Sequence, residues 1–569
     1  MDYSLLSNVV NTFFRHKVNH VVISPGSRSA PLTLSFARHS GFRKYIIPDE
    51  RSAAFIACGI AQETHNPVIL VCTSGTAAYN YAPAIAEAFY QQIPLIVLTA
   101  DRPPEWIGQS DGQSIYQPGL YGRNIKWSCE MPANHSHEDS DWHMLRLVSE
   151  SVREAITFPY GPVHINFPFR EPLYPNKAFA ETPSVHNKMI RQLNFRPMIN
   201  ESEWKDLAVT WEKSSRILIV PGQSSREESV IQSLIQAANY YRFPIFADIL
   251  SNLNGLPDPF IYASELFLSD SALDKGGELC PDLLITFGKS VLSKNLKLFL
   301  RKFKPANHWH IQPAGPVADT FQSLTHIVPM DTSDFFSQST PQFKRKDSFK
   351  SYADQWLKFE THTKKILSRL LCQKTFNELD IVKLILKFLP DECNLHLSNS
   401  LPVRLANYIG LEQKSISVYA NRGTNGIDGC TSTAVGISLS SGKLNVLISG
   451  DMAFFYDRNA LWHKYDIGNL KIILLNNHGG GIFRMLDGPA DLPELKEYFE
   501  TDQFLHAENT AKDFNLDYMK VANYKSLQQT LPEFFGSRGR AGILEIETDG
   551  ENNRSMFLEI LNEIKSLWN

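Results

Sequence analysis

NVLISGDMAF, residues 445–454, is the stretch that decides the fold. Asn445–Ser449 is a short apolar run of the kind a buried strand has, and it ends on Gly450 and a carboxylate, Asp451. In open α/β sheets, ligands collect beyond the carboxyl ends of strands, so an acid placed there needs a reason. Alone, Gly-Asp after a strand is more often a turn or a helix cap. The chain beyond it sharpens the choice. One helix and one strand later comes NNHGGG at 476–481, and two neighbouring parallel strands would set Asp451 and Asn477 side by side at one sheet edge.

Outward from this point the chain reads as three α/β blocks. The third, about 355–569, also holds LKIILLNNHGGG and AGILEIETDG. The first, about 1–185, has HVVISPGSRS, PVILVCTSGTA and PLIVLTADRPP with helical stretches between them. The second, about 195–340, has RILIVPGQSS, PIFADI, DLLITFGKS and HWHIQP. Strand–helix alternation of this kind predicts three doubly wound domains with mostly parallel sheets. Blocks one and three share a plan of strand, Gly turn, amphipathic helix and polar-ended strand, as two copies of one unit facing across a cleft would. All α/β units have some of that likeness. The polar run FFSQSTPQFKRKDSFKSYADQW, from 335, reads as a connector. The second block opens like a dinucleotide domain but has one glycine in its turn and no GxGxxG, so neither FAD nor NAD is expected.

Composition excludes several classes. Net charge is −4 over 569 residues, with 43% hydrophobic and 20% charged residues, so no basic field draws nucleic acid. No apolar run approaches the roughly 18–20 residues of a membrane span. Leu5, Leu6, Val9, Val10 and Phe13 recur at helical spacing where a signal peptide would need an unbroken apolar block, and no leader is expected. Seven scattered cysteines without CxxC suit a reducing cytoplasm. His16, His20 and His39 read as surface residues, and none of the 17 histidines is adjacent to another.

A carboxylate and an amide carbonyl are hard oxygen ligands. Mg²⁺ prefers about two of these, together with water and substrate phosphates, and the glycines let a backbone carbonyl turn inward. The charge facing Asp451 is therefore expected to be Mg²⁺ (or Mn²⁺) holding a diphosphate. The GD…NN pair resembles the signature of thiamin diphosphate enzymes, although Met452 stands where Gly is usual. Those enzymes need a glutamate from the facing domain against the cofactor's pyrimidine ring. Glu50 in YIIPDERSAAF is the candidate; otherwise it is a helix-start acid beside Asp49.

Longer stretches narrow the resemblance. SPGSRSAPL (24–32), DERSAAF (49–55), TSGTA (73–77), LTADRPPE (98–105), NSLPVRL (399–405), NRGTNGIDG (421–429), SGDMAFFYDRNAL (449–461) and NNHGGGIF (476–483) resemble the 2-succinyl-5-enolpyruvyl-6-hydroxy-3-cyclohexene-1-carboxylate (SEPHCHC) synthases of menaquinone biosynthesis. The likeness is end to end in blocks one and three and weaker in the middle. It implies a transferase that decarboxylates 2-oxoglutarate and adds the product to isochorismate. It places Glu50, Thr76, Ile427, Gly450, Asp451 and Asn477 on the cofactor, and Asp451, Asn477 and Gly479 on the metal. Ser400 and Arg404 would take the distal carboxylate of the 2-oxo acid. Ser27, Arg28, Arg102, Gln113 and Lys294 would hold isochorismate, with Arg422 also lining the site and Ile482, Phe483 and Leu486 as an apolar wall. The family usually has a basic pair at 294–295; Asn295 breaks it here. Because Glu50 and Asp451 belong to facing domains, the likeness also implies a homo-oligomer, a dimer or a dimer of dimers.

Guanidinium groups suit such substrates, since both are dicarboxylates and Arg pairs carboxylates in a bidentate fork. Two alternatives stand beside this: an acetohydroxyacid synthase-like 2-oxo acid enzyme, and a non-catalytic protein that binds thiamin diphosphate.

Overall fold

Among the described residues, eighteen short strands alternate with helices and sort into three six-stranded sheets. The computed structural model describes residues 3–568 except 135–136, 176–188, 194, 269, 373–374, 487 and 538. The first sheet contains β1 (His20–Ile23), β2 (Arg43–Ile46), β3 (Val68–Cys72), β4 (Leu95–Asp101), β5 (Trp127–Glu130) and β6 (Val163–Pro168). The middle sheet contains β7 (Ile217–Pro221), β8 (Ile245–Phe246), β9 (Phe260–Ile261), β10 (Leu283–Phe287), β11 (Asn307–Ile311) and β12 (His326–Val328). The third contains β13 (Asn394–Leu397), β14 (Ser417–Tyr419), β15 (Asn445–Gly450), β16 (Leu470–Asn476), β17 (Asp517–Val521) and β18 (Gly542–Glu547). Every described strand pairing is parallel.

Counting strands within each sheet in chain order, the first and third sheets have the same spatial order, 2-1-3-4-6-5. That identity goes beyond what any two α/β units share, and it fits two copies of one unit. The middle sheet has the order 3-2-1-4-5-6, the dinucleotide-binding arrangement. At its switch point the loops after β7 and β10 bond to each other: Gly222 N–H to Phe287 C=O at 2.8 Å, Gln223 N–H to Ser290 C=O and Lys289 N–H to Gln223 C=O, both at 2.9 Å. A Cβ on Gly222 would lie 2.1 Å from the Lys289 carbonyl, so the crevice is filled by the chain itself.

Two expectations change. The polar run from 335 is no connector. It forms the end of the helix Thr332–Gln342 and the start of the 24-residue helix Asp347–Leu370. Phe349, Tyr352, Ala353, Trp356, Glu360, Thr363, Leu367 and Leu370 form its buried stripe, spaced three and four apart among more numerous polar residues. His20 is not at the surface: it opens β1, is 5% exposed and stacks on Tyr45. The boundary expected at 185 lies outside the described residues.

The first and third domains meet backbone to backbone. The helices Glu50–Thr64 and Cys430–Ser440 cross at Gly59 and Gly436; a Cβ on either would lie 2.1 Å from a carbonyl of the other helix, Thr433 and Ile56 respectively. Each helix begins beside a loop or acid that the sequence marks as functional.

Candidate active site

Parallel pairing of β15 with β16 sets Gly450 opposite Leu475, so Asp451 and Asn477 emerge together at one edge. Asp451 is 2% exposed. Its Oδ1 accepts the Met452 N–H and its Oδ2 accepts Gln503 Nε2, both at 2.8 Å. Burial pushes its carboxyl up, against the pull of Gln503 and the Met452 and Gly479 amides. Asn477 Nδ2 donates to Glu378 Oε1 at 2.8 Å, which fixes the amide and leaves Oδ1 buried without a partner. Glu378 also accepts the Thr548 hydroxyl; burial raises its carboxyl, and Asp451 pushes the same way. A Cβ on Gly481 would lie 2.7 Å from Asn477 Nδ2, so only glycine lets the chain pass over this amide. Two buried carboxylates and an orphaned carbonyl oxygen are a hard-oxygen donor set that fits a divalent cation.

Glu50 opens its helix, with Asp49 capping it by accepting the Ser52 N–H at 3.2 Å. Burial is the main cause that raises its carboxyl, with Asp49 adding to it. It lies within electrostatic reach of Cys72 and Tyr81, at the carboxyl end of β3. There Gly75 (φ 82°) turns the chain into the helix that starts at Thr76, which is exposed. Arg51 donates to the Tyr456 carbonyl at 2.7 Å, and Asn459 donates to Asp49 at 2.8 Å. Glu50 thus neighbours the far end of the helix Asp451–Tyr456. Among the described residues no hydrogen bond or ion pair joins Glu50 to Asp451 or Asn477 within one chain.

The arginines form two groups. Arg28 and Arg102 lie together at the edge of the first sheet. Burial, and then Arg102, pushes the Arg28 guanidinium down, and Arg28 donates to the Phe169 carbonyl at 3.2 Å. Arg102 donates to Ser74 Oγ at 3.0 Å and to the Gln113 carbonyl at 3.1 Å, and pairs with Asp111. Ser27 is exposed in the adjoining turn.

The second group belongs to the third sheet. Ser400 is held at φ 75°, ψ −124°, a strained backbone for a residue with a side chain. Asn399 donates to the Asn421 and Gly426 carbonyls at 2.5 and 2.6 Å and accepts Arg422 Nη1 at 3.0 Å. The 398–400 turn and the 421–429 loop, which carries half-buried Ile427, are thereby tied together. Burial, and then Arg404, pushes the Arg422 guanidinium down, and Arg422 Nε is buried without a partner.

Lys294 is exposed at the start of the helix Lys294–Lys302, and Asn295 is engaged by Glu265. Lys297, one turn on, is the half-buried cation here. Burial and Arg422 push its ammonium down, while Asp248 and Glu265 favour its charge. The i+3 spacing from Lys294 was its only signal in the sequence. Gln503 and Glu378 had none. Ile482 packs against the third-domain core and Phe483 against Phe499, whereas Leu486 is 39% exposed.

A further group, His478, His506 and Glu547, brings ligand atoms within 4.8 Å of one another. Its charges already have partners: Lys520 on Glu547 and Glu545 on His506. No described helix is long and apolar enough to cross a membrane.

Comparison with known proteins identifies the family. The family model described as "Thiamine pyrophosphate enzyme, N-terminal TPP binding domain" matches residues 7–120, and "Middle domain of thiamine pyrophosphate" matches 185–397. A SEPHCHC synthase of Cytophaga hutchinsonii is 43% identical over 97% of each chain. Those of Porphyromonas gingivalis and Flavobacterium johnsoniae are 39% identical (96% of this chain, 95% of the relative) and 37% identical (99% of each).

Proposed function

The chain belongs to the SEPHCHC synthase family, and from that membership we propose that it decarboxylates 2-oxoglutarate and joins the four-carbon remainder to isochorismate, releasing CO₂. It is a thiamin diphosphate-dependent transferase of menaquinone biosynthesis. Bound thiamin diphosphate supplies the electron sink for decarboxylation. Asp451, Asn477 Oδ1 and the Gly479 carbonyl would hold Mg²⁺ or Mn²⁺ against its diphosphate, beside Gly450. The unpartnered Asn477 oxygen supports this. Thr76 and Ile427 would line the cofactor, and Glu50, with its raised carboxyl, would hold a proton opposite the pyrimidine ring. Glu50 on the first domain would meet the diphosphate edge of a second copy's third domain, in a dimer or dimer of dimers. The first domain is then the pyrimidine side, the third the diphosphate side, and the middle one binds no nucleotide. The free cysteines fit a cytoplasmic enzyme.

The observation that carries the substrate assignment is the Arg404–Arg422 pair. Arg404 lies within electrostatic reach of Arg422, whose Nε is buried without a hydrogen-bond partner, and two neighbouring guanidiniums of this kind suit a carboxylate. With Ser400 and Lys297 they would take the distal carboxylate of the 2-oxo acid. Arg28, Arg102 and Gln113 would take isochorismate. Pyruvate has the same reacting centre but no distal carboxylate, and would leave those cations unpaired. Discrimination against it should reach about 10³ in kcat/KM. Arg404→Ala should lose mainly 2-oxoglutarate, and Arg28→Ala mainly isochorismate. Steady-state kinetics on both substrates decides this. Equal use of pyruvate and 2-oxoglutarate by the wild type would transfer the case to an acetohydroxyacid synthase-like enzyme.

A further inference from the structure

Polar groups of the first and third domains converge on one buried carboxylate that no catalytic assignment uses, and the middle domain bonds to its neighbours. Glu87, in the helix Ala82–Gln91 of the first domain, is 1% exposed. Its Oε1 accepts the Gly423 N–H at 2.8 Å and Gln91 Nε2 at 2.6 Å. Its Oε2 accepts the N–H and the hydroxyl of Thr424 at 2.6 and 2.8 Å. Gln91 and Gln223, the latter from the middle domain, both donate to the Ala420 carbonyl, at 3.1 and 3.0 Å. Lys289, also from the middle domain, donates to the Gln91 carbonyl; burial pushes its ammonium down to about 8, while Glu87 favours its charge. A Cβ on Gly423 would lie 2.6 Å from the Glu87 carbonyl, so the loop sits directly on this helix with no side chain between.

A buried carboxylate is tolerated only when its lone pairs are fully used, and Glu87 uses them on two successive peptide N–H groups of one loop. Arg422 lies between the two clasped points. The chain is held before it at Ala420 and after it at Gly423 and Thr424. Among the described residues its side chain bonds to Asn399, through Nη1. Where the guanidinium stands therefore depends on this backbone, which Asn399 holds at Asn421 and Glu87 holds at Gly423 and Thr424.

We propose that Glu87 is a positioning residue for the 2-oxo acid: it touches no substrate, and it helps fix the 420–424 loop that carries Arg422. This rests on the assignment of Arg422 to the substrate carboxylate. A Glu87→Gln side chain keeps the shape but turns an NH₂ group toward peptide donors. The expected result is a KM for 2-oxoglutarate raised about tenfold, with the KM for isochorismate and the affinity for thiamin diphosphate, read by fluorescence quenching, unchanged. A merely structural role would move all three. Thr424→Val removes one donor without opening the core, and should shift the same KM in the same direction by less. In an Arg422→Ala background, Glu87→Gln should add nothing, since the two act through one contact. If Arg422→Ala raises the 2-oxoglutarate KM but neither Glu87→Gln nor Thr424→Val does, the positioning role is overturned. If Arg422→Ala itself leaves that KM unchanged, the substrate assignment of Arg422 falls, and the role of Glu87 with it.

Discussion

Asp451 shows how much a single residue type at a strand end can say. An acid after an apolar strand was legible from NVLISGD alone, and its pairing with Asn477 followed from two parallel strands ending together. What was not legible is the set of groups behind them. Gln503 reaches Asp451 from 52 positions away, and Glu378 reaches Asn477 from 99. Neither stands in a pattern, because a lone polar residue that becomes buried leaves no local periodicity to read. Gln503 donates to one Asp451 oxygen and peptide N–H groups bond to the carboxylate, so the acid is oriented before any cation arrives. Asp451→Ala removes the anionic ligand and leaves the rest standing. Affinity for thiamin diphosphate with Mg²⁺ should fall at least about tenfold, as loss of a charge-assisted contact costs about 1.5–3 kcal/mol. Fluorescence titration of the variant against the wild type measures it, and equal affinities would remove Asp451 from the metal's ligands.

Among elements, the helices carry what the strands do not. The apolar strand runs announced themselves, whereas the helix Asp347–Leu370 hid its stripe among charged residues and read as a connector. The helix Lys294–Lys302 shows a subtler form of the same problem: the helical repeat brings Lys297 toward Arg422, where the motif pointed to Lys294. The crossing of the helices Glu50–Thr64 and Cys430–Ser440 was invisible because small residues give no hydrophobic signal, yet their smallness is what makes the contact. Gly436→Ala puts a methyl group 2.1 Å from the Ile56 carbonyl, and neither backbone can give way alone. Destabilisation of about 1–3 kcal/mol is expected, as for an overpacked core. Gly442→Ala, in open space and at ordinary φ, should be neutral or slightly stabilising. The two urea midpoints, measured side by side, separate a crossing constraint from a general intolerance of substitution.

Over the whole molecule, each sheet buries at least one neutral histidine against a hydroxyl or an amide. His164 in β6 bonds to Thr99 at 2.7 Å, His308 in β11 to Thr286 at 2.8 Å, and His396 in β13 to Asn445 at 3.0 Å. Burial pushes them down to about 3, 4 and 4. A histidine depressed in the folded state contributes stability that is fully present above its ordinary pKa and lost as pH falls, because only the unfolded chain takes up the proton. Asp101, Asp248 and Asp457, raised by burial to about 6, 6 and 7, have the opposite sign, so the wild-type profile mixes the two. A neutral replacement isolates the histidine. Relative to wild type, His396→Gln should gain about 1.4 kcal/mol on going from pH 7.5 to one unit below the ordinary pKa. His164→Gln and His308→Gln should gain the same amount, since the cause lies in the unfolded chain and not in the sheet. Urea unfolding at the two pH values tests this, and a pH-independent difference would mean that these rings charge in place.

The glycine crossing also bears on how the protein is made. The first sheet is built from a contiguous stretch ending at Pro168, so it can close while the rest is still on the ribosome. The partner of its Glu50–Thr64 helix is encoded far downstream. At about 5–20 residues per second, translation from Thr64 to Cys430 takes roughly twenty seconds to over a minute. Throughout that interval the surface around Phe55, Ile56 and Gly59, shaped to accept another backbone, stands bare on a finished domain. The nascent chain therefore has a built-in waiting period during which this face is open to any holdase before the third domain exists to cover it.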